Sequence, residues 1–251
     1  MKPIVTFFGT QPYEQESFDA LNRDFGFEFR YFKGHLSCQT VVATHGAQAA
    51  CIFVNDTADA EVMRELARNG VRLLALRCAG YNNVDLEAAS ARGIVVMNTP
   101  GQNSNAVAEL ALAMMIFMAR NGFTPGTGSE IQGKTLGIHA YGNVGRLVGR
   151  KGKALGMNVV AYDPFIADGA VFEADGVKKV ASVEELYRVS DFLSLHIPAT
   201  AQTKGSIGYD LMMSMPKGAT LVNTARKEVI DEEGVVRAMT EREDLKYITD
   251  I

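Results

Sequence analysis

Apolar and polar positions along the chain repeat with two different periods. Short runs rich in β-branched and aromatic residues, such as Ile4–Phe8 and Thr135–His139, are each followed by a turn and then by apolar residues at helical spacing. Further runs of this kind lie at residues 27–31, 50–54, 71–77, 94–97, 158–162, 192–195, 219–223 and 247–249. Strands that alternate with helices predict parallel sheets covered by helices, which is an α/β fold.

The helical segments divide the strands into two series. Residues 14–25 and 58–69 have helical spacing, the latter after the capping candidate Asp56, and residues 105–120 are apolar enough for a buried helix. Residues 121–128 are rich in Gly and Pro and are the best candidate for a linker. We therefore expect two doubly wound parallel-sheet domains, at residues 1–98 and 99–251. Because the last residues resemble a buried strand, we also expect the C-terminal part of the second domain to be missing.

Composition and charge restrict the classes of function. With 25 basic and 29 acidic residues the net charge is −4, which gives no reason to expect nucleic acid or an anionic membrane as a partner. The apolar stretches are too short to span a bilayer, and the N-terminus lacks the pattern of a signal peptide. Cys38, Cys51 and Cys78 have no metal-ligand spacing, so we expect reduced thiols, no metal site and a cytoplasmic location.

The segment from Gly137 to Gly145 has the spacing of a dinucleotide fingerprint. It follows a predicted strand and opens a helix, with Ala140, Gly142 and Gly145 at the three positions for small residues. Gly142 would let the backbone approach a pyrophosphate, and Gly145 would let the helix pack on the strand. Ala140 replaces the usual first glycine, which a turn with negative φ would tolerate.

A carboxylate follows the next strand at the distance that a ribose-binding residue requires. Asp163 lies about 20 residues after the fingerprint, where it would accept hydrogen bonds from the adenosine ribose and repel a 2′-phosphate. NAD is therefore the cofactor predicted, rather than NADP. The alternative is an ordinary strand–helix–strand unit with a solvated aspartate.

Four segments together resemble the D-isomer-specific 2-hydroxyacid dehydrogenase family over essentially the whole chain. They are residues 77–85, residues 104–109, the fingerprint through Asp163, and residues 195–198 with 222–226. The resemblance implies a flavodoxin-like substrate domain, a Rossmann NAD domain and an active site between them. It also assigns roles to individual residues. Substrate would bind to the backbone of Ala79 and Gly80 and to the catalytic Arg226. Cofactor would bind to Gly142, Asn143, Val144, Gly145, Asp163, Ile197, Pro198, Thr203, Thr224, Ala225 and Asp250.

Some of these residues could have a structural role instead. Ile197 and Thr203 could serve packing alone, and Arg226 could form a surface ion pair. Arg226 follows a strand at its carboxyl end, where sites of α/β proteins lie, and its planar fork suits a keto acid better than a lysine would.

The family's proton donor is a histidine supported by a glutamate, and the resemblance places both beyond Asp250. The histidines of this chain do not fit that role. His35 and His45 lie in the N-terminal stretch, His139 is expected to be a satisfied core residue, and His196 is expected to have a structural or nucleotide-side role. We therefore expect the 251 residues alone to bind NAD poorly and to catalyse little.

The two halves resemble different branches of the family. Residues 8–13, 54–56 and 77–85 are similar to D-lactate dehydrogenases. Residues 98–105, 121–130, 137–142 and 225–228, with Lys227 in place of the usual glycine, are similar to bacterial D-3-phosphoglycerate dehydrogenases. Asn55 and Asp56 stand where phosphoglycerate enzymes typically carry an Arg-Ser pair, and the carboxylate would repel a phosphate. The expected substrate is therefore a small 2-keto or 2-hydroxy acid, pyruvate or D-lactate, with 3-phosphoglycerate as the alternative.

Two hypotheses from other classes of function remain open. One is a corepressor-like sensor that binds NAD and protein partners, and the other is a non-catalytic NAD-binding fragment. A homodimer is also expected, because in the family that the chain resembles the long helix near residues 105–120 packs across a two-fold axis. The strongly apolar run at residues 110–118 fits either such an interface or an interdomain core.

Overall fold

The computed structural model describes residues 2–250. The chain divides into two compact units between Gln102 and Asn103. The boundary expected from the sequence lies between residues 98 and 99.

The first unit is a five-stranded parallel sheet with the strand order β2-β1-β3-β4-β5. Its elements are β1 (Ile4–Phe8), α1 (Pro12–Asn22), β2 (Glu28–Phe32), β3 (Ala49–Ile52), α2 (Ala60–Arg68), β4 (Leu73–Leu76), α3 (Leu86–Ala91) and β5 (Val95–Met97). This is the flavodoxin-like order, in which the chain changes direction between β1 and β3. Ligands of such sheets bind outside the carboxyl ends of the strands.

Apolar residues of α2 and α3 pack on one face of this sheet. Val62, Met63 and Leu66 of α2 are fully buried there, together with Leu74 of the sheet. On the other face, Phe18 of α1 meets Phe7 with ring centroids 4.7 Å apart, beside an apolar hollow of about 580 Å³.

The predicted cap of α2 is wrong. The helix is capped by Asp59, whose side chain accepts a hydrogen bond from the Val62 N–H at 2.9 Å. Asp56 is buried instead, with 2% of its surface exposed, and its carboxylate accepts hydrogen bonds from the backbone N–H groups of Leu36 and Phe53. A carboxylate three residues before the N-cap of the helix therefore holds two loops together.

The second unit is a six-stranded parallel sheet with the order β11-β10-β9-β6-β7-β8. Its elements are α4 (Ser104–Ala119), β6 (Thr135–His139), α5 (Asn143–Ala154), β7 (Asn158–Tyr162), α6 (Ala170–Ala174), β8 (Lys178–Lys179), α7 (Val183–Val189), β9 (Phe192–Leu195), α8 (Tyr209–Ser214), β10 (Thr220–Asn223), α9 (Glu232–Glu241) and β11 (Lys246–Thr249). Numbered within the unit, this order reads 6-5-4-1-2-3, which is that of dinucleotide-binding sheets.

Helices cover both faces of the second sheet, so its strands are buried runs rather than alternating ones. One core contains α4 and α5 residues such as Met115 and Val148, and the other contains α7 to α9 residues such as Leu186 and Val235. Both sheets confirm the predicted α/β class with two doubly wound domains. Among residues 2–250, no helix is long and apolar enough to cross a membrane.

Candidate functional site

The fingerprint turn connects β6 to α5 at the point where the sheet order reverses. Gly142 is the N-cap of α5, and no side chain caps this helix, so the first N–H groups of the helix have no side-chain acceptor. A Cβ built on Gly142 would meet no heavy atom of the described residues within 4 Å. The turn is therefore a cradle that a methyl group would fill, and it fits the pyrophosphate of a dinucleotide.

Gly145 is required by the packing of α5 on β6 rather than by a ligand. A Cβ at this position would lie 2.2 Å from the carbonyl oxygen of Ala140 and 3.0 Å from Cγ2 of Ile138. Only glycine lets the first turn of α5 approach β6 this closely.

The condition of a negative φ, under which the turn would tolerate Ala140, is not met. Its φ is 74°, in the left-handed region, and its N–H donates to the carbonyl of Tyr162 at 2.9 Å. The turn keeps the backbone conformation that glycine normally provides there. Placing an alanine in this region costs about 1–2 kcal/mol.

Asp163 is buried at the end of β7, with 7% of its surface exposed. Its Oδ2 accepts a hydrogen bond from the Tyr141 N–H at 2.8 Å, and its Oδ1 accepts one from the Phe165 N–H at 2.9 Å. The alternative of a solvated aspartate is therefore wrong. Each oxygen keeps a further lone pair with which a ribose hydroxyl could bond.

Tyr141 and Asp175 form a network that the sequence pattern did not indicate. The Tyr141 side chain is fully buried and stacks on Phe172, with centroids 4.7 Å apart. Its hydroxyl donates to Asp175 at 3.0 Å, and the same carboxylate binds Arg146 and Arg150 of α5. The only available signal was a large aromatic residue between two small ones in the fingerprint.

Two histidines lie at the carboxyl ends of β6 and β9. His139 is 8% exposed, and its Nδ1 has no hydrogen-bond partner among the described residues, so the expectation of a satisfied core histidine is wrong. Burial lowers its pKa to about 4 despite the nearby Asp163. Burial also lowers the pKa of His196 to about 3, with a contribution from His139, and its Nε2 lies 2.9 Å from the Ser194 hydroxyl. Both rings are therefore neutral at physiological pH.

The loop after β9 contains the residues predicted for the adenosine side. Ile197 is buried with 6% of its surface exposed, while Pro198 is exposed. The Thr203 hydroxyl accepts a hydrogen bond from the Thr200 N–H at 2.8 Å and donates to the Pro198 carbonyl. The Thr203 side chain thus stabilises the turn, and Ile197 packs into the core.

Asn223 holds the loop that follows β10. This fully buried side chain accepts a hydrogen bond from the Ala225 N–H at 2.9 Å and donates to the Arg226 carbonyl at 3.2 Å. Arg226 is exposed, and its Nη1 donates to the Ala225 carbonyl at 2.7 Å. Within residues 2–250 it forms no ion pair, so the surface ion pair considered for it is not found. The Thr224 hydroxyl oxygen is buried and has no partner among the described residues.

Asp250 lies beside this loop. It follows β11, whose Thr249 pairs in register with Asn223 of β10, and it is exposed. Residues 142–145, Asp163, Ile197, Thr224 and Asp250 thus all lie at the carboxyl edge of one sheet, where ligands of doubly wound folds bind.

The predicted substrate loop lies at the carboxyl end of β4 in the first unit. Two backbone carbonyl groups of this loop accept side-chain hydrogen bonds. The Asn98 amide donates to the Ala79 carbonyl at 2.8 Å, and the Cys78 thiol donates to the Gly80 carbonyl at 3.2 Å. Arg77 precedes the loop with only 8% of its side chain exposed. Its Nε lies 3.1 Å from Glu14, and its Nη2 donates to the Phe8 carbonyl at 3.1 Å.

The buried position of Asp56 also changes the argument about substrate. Its carboxylate points into the protein toward two backbone N–H groups, and His35 lies 3.5 Å away. Direct repulsion of a substrate phosphate by Asp56, as expected from the sequence, is therefore not supported.

Comparison with known proteins gives consistent matches. The sequence model described as D-isomer specific 2-hydroxyacid dehydrogenase, NAD binding domain, matches residues 110–251. The 2-hydroxyacid dehydrogenase homolog 1 of Schizosaccharomyces pombe is 36% identical over 252 residues, which cover 94% of this chain and 74% of that protein.

Two solved structures are also similar. The apo structure of D-lactate dehydrogenase from Escherichia coli matches with a TM-score of 0.85 and 33% identity, over 99% of this chain and 82% of that one. The NAD⁺-bound 3-phosphoglycerate dehydrogenase of Entamoeba histolytica matches with a TM-score of 0.88 and 38% identity, over 100% of this chain and 81% of that one.

Proposed function

Since the chain belongs to the D-isomer specific 2-hydroxyacid dehydrogenase family and is thereby an NAD-dependent dehydrogenase, we propose that its substrate pair is pyruvate and D-lactate. The observation that carries this proposal is the state of Arg77, the arginine next to the substrate loop. Its guanidinium is buried, with Nε 3.1 Å from Glu14, Nη2 bonded to the Phe8 carbonyl and Nη1 without a hydrogen-bond partner among the described residues, so burial keeps it from binding a phosphate.

Arg226 would hold the keto acid. Its planar fork can donate two parallel hydrogen bonds, to the carboxylate and to the ketone oxygen. The resemblance to the family also assigns substrate binding to the backbone N–H groups of Ala79 and Gly80. Asn223 fixes the backbone of the loop on which Arg226 stands, so the fork would be presented by a rigid support.

The cofactor would be held by the fingerprint. The N–H groups of Asn143, Val144 and Gly145 at the start of α5 would bind its pyrophosphate, and Asp163 would bind the adenosine ribose. Bound NADH supplies the hydride. Neither His139 nor His196 would donate the proton that the developing alkoxide needs, because the lowered pKa of each ring keeps it neutral.

A second candidate substrate is 3-phosphohydroxypyruvate. It is favoured by the similarity to the Entamoeba histolytica 3-phosphoglycerate dehydrogenase, at 38% identity. Lys227 is exposed and directly follows Arg226, so its ammonium group would be the candidate to bind the phosphate of this substrate.

The deciding experiment compares NADH oxidation with pyruvate and with 3-phosphohydroxypyruvate, followed optically. The 251-residue chain and the longest product of its reading frame are assayed side by side, and NADH binding is measured in parallel. Turnover with pyruvate supports the proposal, and preference for the phosphorylated acid replaces it with the second candidate. Binding of NADH without turnover of either acid would instead favour an NAD-sensing or non-catalytic protein.

A homodimer is also proposed. Leu110 and Phe117 of α4 are 41% and 39% exposed, and Phe117 packs edge-on against Phe123, which is 67% exposed. Such a stripe of large apolar side chains is typical of an interface. Sedimentation at micromolar concentration should give a dimer, and Phe117→Ser should weaken it, whereas a wild-type monomer would contradict the proposal.

A further inference from the structure

Asp175 binds two arginines of α5, the helix that begins at the fingerprint turn. It follows α6, and only 5% of its side chain is exposed. Its Oδ1 accepts a hydrogen bond from Nε of Arg150 at 2.7 Å, and its Oδ2 accepts one from Nε of Arg146 at 3.1 Å. The two arginines are one helical turn apart, so a single carboxylate can bind both.

The same carboxylate is linked to the residue that binds the ribose. Tyr141 donates its backbone N–H to Asp163 at 2.8 Å and its hydroxyl to Asp175 at 3.0 Å. The two carboxylates therefore lie at opposite ends of one residue of the fingerprint. Arg146 directly follows Gly145, in the first turn of α5, and 39% of its side chain remains exposed.

Asp175 is ionised at neutral pH. Burial alone would raise the pKa of its carboxyl, but hydrogen bonds from both arginines and from Tyr141 outweigh burial and hold the pKa below its usual value. The charged carboxylate neutralises part of the positive field of α5 and directs both Nε groups toward itself. A free arginine at this place would attract a phosphate, because its fork matches phosphate geometry.

We propose that Asp175 is a second determinant of the preference for NAD over NADP, because it binds the Nε groups of Arg146 and Arg150 and compensates their charge, although 39% and 53% of their side chains remain exposed. The inference rests on NAD binding at the fingerprint, which family membership supplies. Asp163 would disfavour a 2′-phosphate directly, by its own charge. Asp175 acts through the arginines and is a positioning residue, since nothing places it against the cofactor.

The test compares the affinities of Asp175→Asn for NADH and NADPH, measured by titration of nucleotide fluorescence. Loss of the carboxylate charge leaves both arginine charges uncompensated and releases at least one guanidinium group, because the asparagine has only one acceptor oxygen. This change should tighten NADPH binding at least about fivefold, while NADH affinity stays within about twofold. Adding Arg146→Gln and Arg150→Gln to this variant should remove the gain. The matched control is Asp168→Asn, which removes the same charge from the same region, while the asparagine oxygen can still accept the hydrogen bond from the Ala170 N–H. It should change the NADPH affinity less than about twofold.

Three results would overturn the proposal. A parallel loss of NADH and NADPH affinity in Asp175→Asn would show a purely structural role. An equal gain in Asp168→Asn would show a general effect of charge. If Asp175→Asn fails to fold, Arg146→Gln combined with Arg150→Gln in the wild-type background decides the question. This pair should leave NADPH affinity within about twofold, whereas a clear fall would show that the arginines were already available.

Discussion

Gly142→Ala should affect NADH affinity and the free energy of unfolding in different ways. The φ and ψ of Gly142 are −81° and −155°, which alanine can adopt, and a Cβ there meets no described heavy atom within 4 Å. The folded chain therefore accommodates Gly142→Ala without strain, and the unfolded chain loses freedom. We expect the free energy of unfolding to stay the same or to rise by about 0.4–1 kcal/mol.

The same methyl group should weaken NADH binding strongly. It would occupy the cradle before the first N–H groups of α5, so at least one hydrogen bond from the backbone to a charged phosphate would be lost. Such a bond contributes about 1.5–3 kcal/mol, which corresponds to a loss of affinity of about 10- to 150-fold.

Gly145→Ala is the matched control, because its methyl group meets the protein instead. The Cβ would lie 2.2 Å from the Ala140 carbonyl oxygen, and relieving this overlap should cost about 1–3 kcal/mol of stability. Urea unfolding without cofactor and NADH titration are measured for both variants. Wild-type NADH affinity in Gly142→Ala would refute the placement of the pyrophosphate, and a clear loss of stability in that variant would refute the steric argument.

Three further outcomes follow from the site. Arg226→Lys should lower keto-acid turnover by about 100-fold, through loss of a bidentate contact worth about 3 kcal/mol, and an equal loss of NADH affinity would mark the residue as structural. Asp163→Ala should relax discrimination against NADPH and cost about 1–3 kcal/mol by leaving the Tyr141 N–H without its acceptor; an unchanged preference would mean that another group reads the ribose. Because the pKa of His139 is lowered to about 4, the unfolded state binds more protons below pH ~6.5, so stability should fall by up to about 3 kcal/mol from there to pH ~4. Urea unfolding at several pH values measures this fall in the free energy of unfolding. His139→Leu should reduce the fall between pH ~6.5 and ~4, and the fall that remains is assigned to His196.

The strands of the sheets were largely predictable because burial on both faces leaves continuous apolar runs. The bounds of β6, β7 and β9 agree with those expected from the sequence. The edge strand β8, formed by Lys178 and Lys179, was not predicted, since two lysines carry no apolar pattern. The first helix ends at Asn22 rather than at residue 25, because the Asn22 side chain bonds the backbone of Phe27 and turns the chain.

The candidate site was predictable only where it rests on local spacing. The fingerprint glycines and Asp163 follow a fixed distance rule, which the sequence displays directly. The hydrogen bonds of Asp175 join residues 25 to 34 positions apart, and no period connects them. The inward orientation of Asp56 depends on loops that fold against it, so its charge alone misled the substrate argument.

The enantiomer of the product tests the central claim most directly. The product of the reading frame that contains these residues is incubated with NADH and pyruvate, and the lactate formed is resolved by chiral chromatography. The account predicts D-lactate, formed in equal amount to the NADH consumed. Formation of L-lactate, or no lactate although NADH is bound, would contradict it.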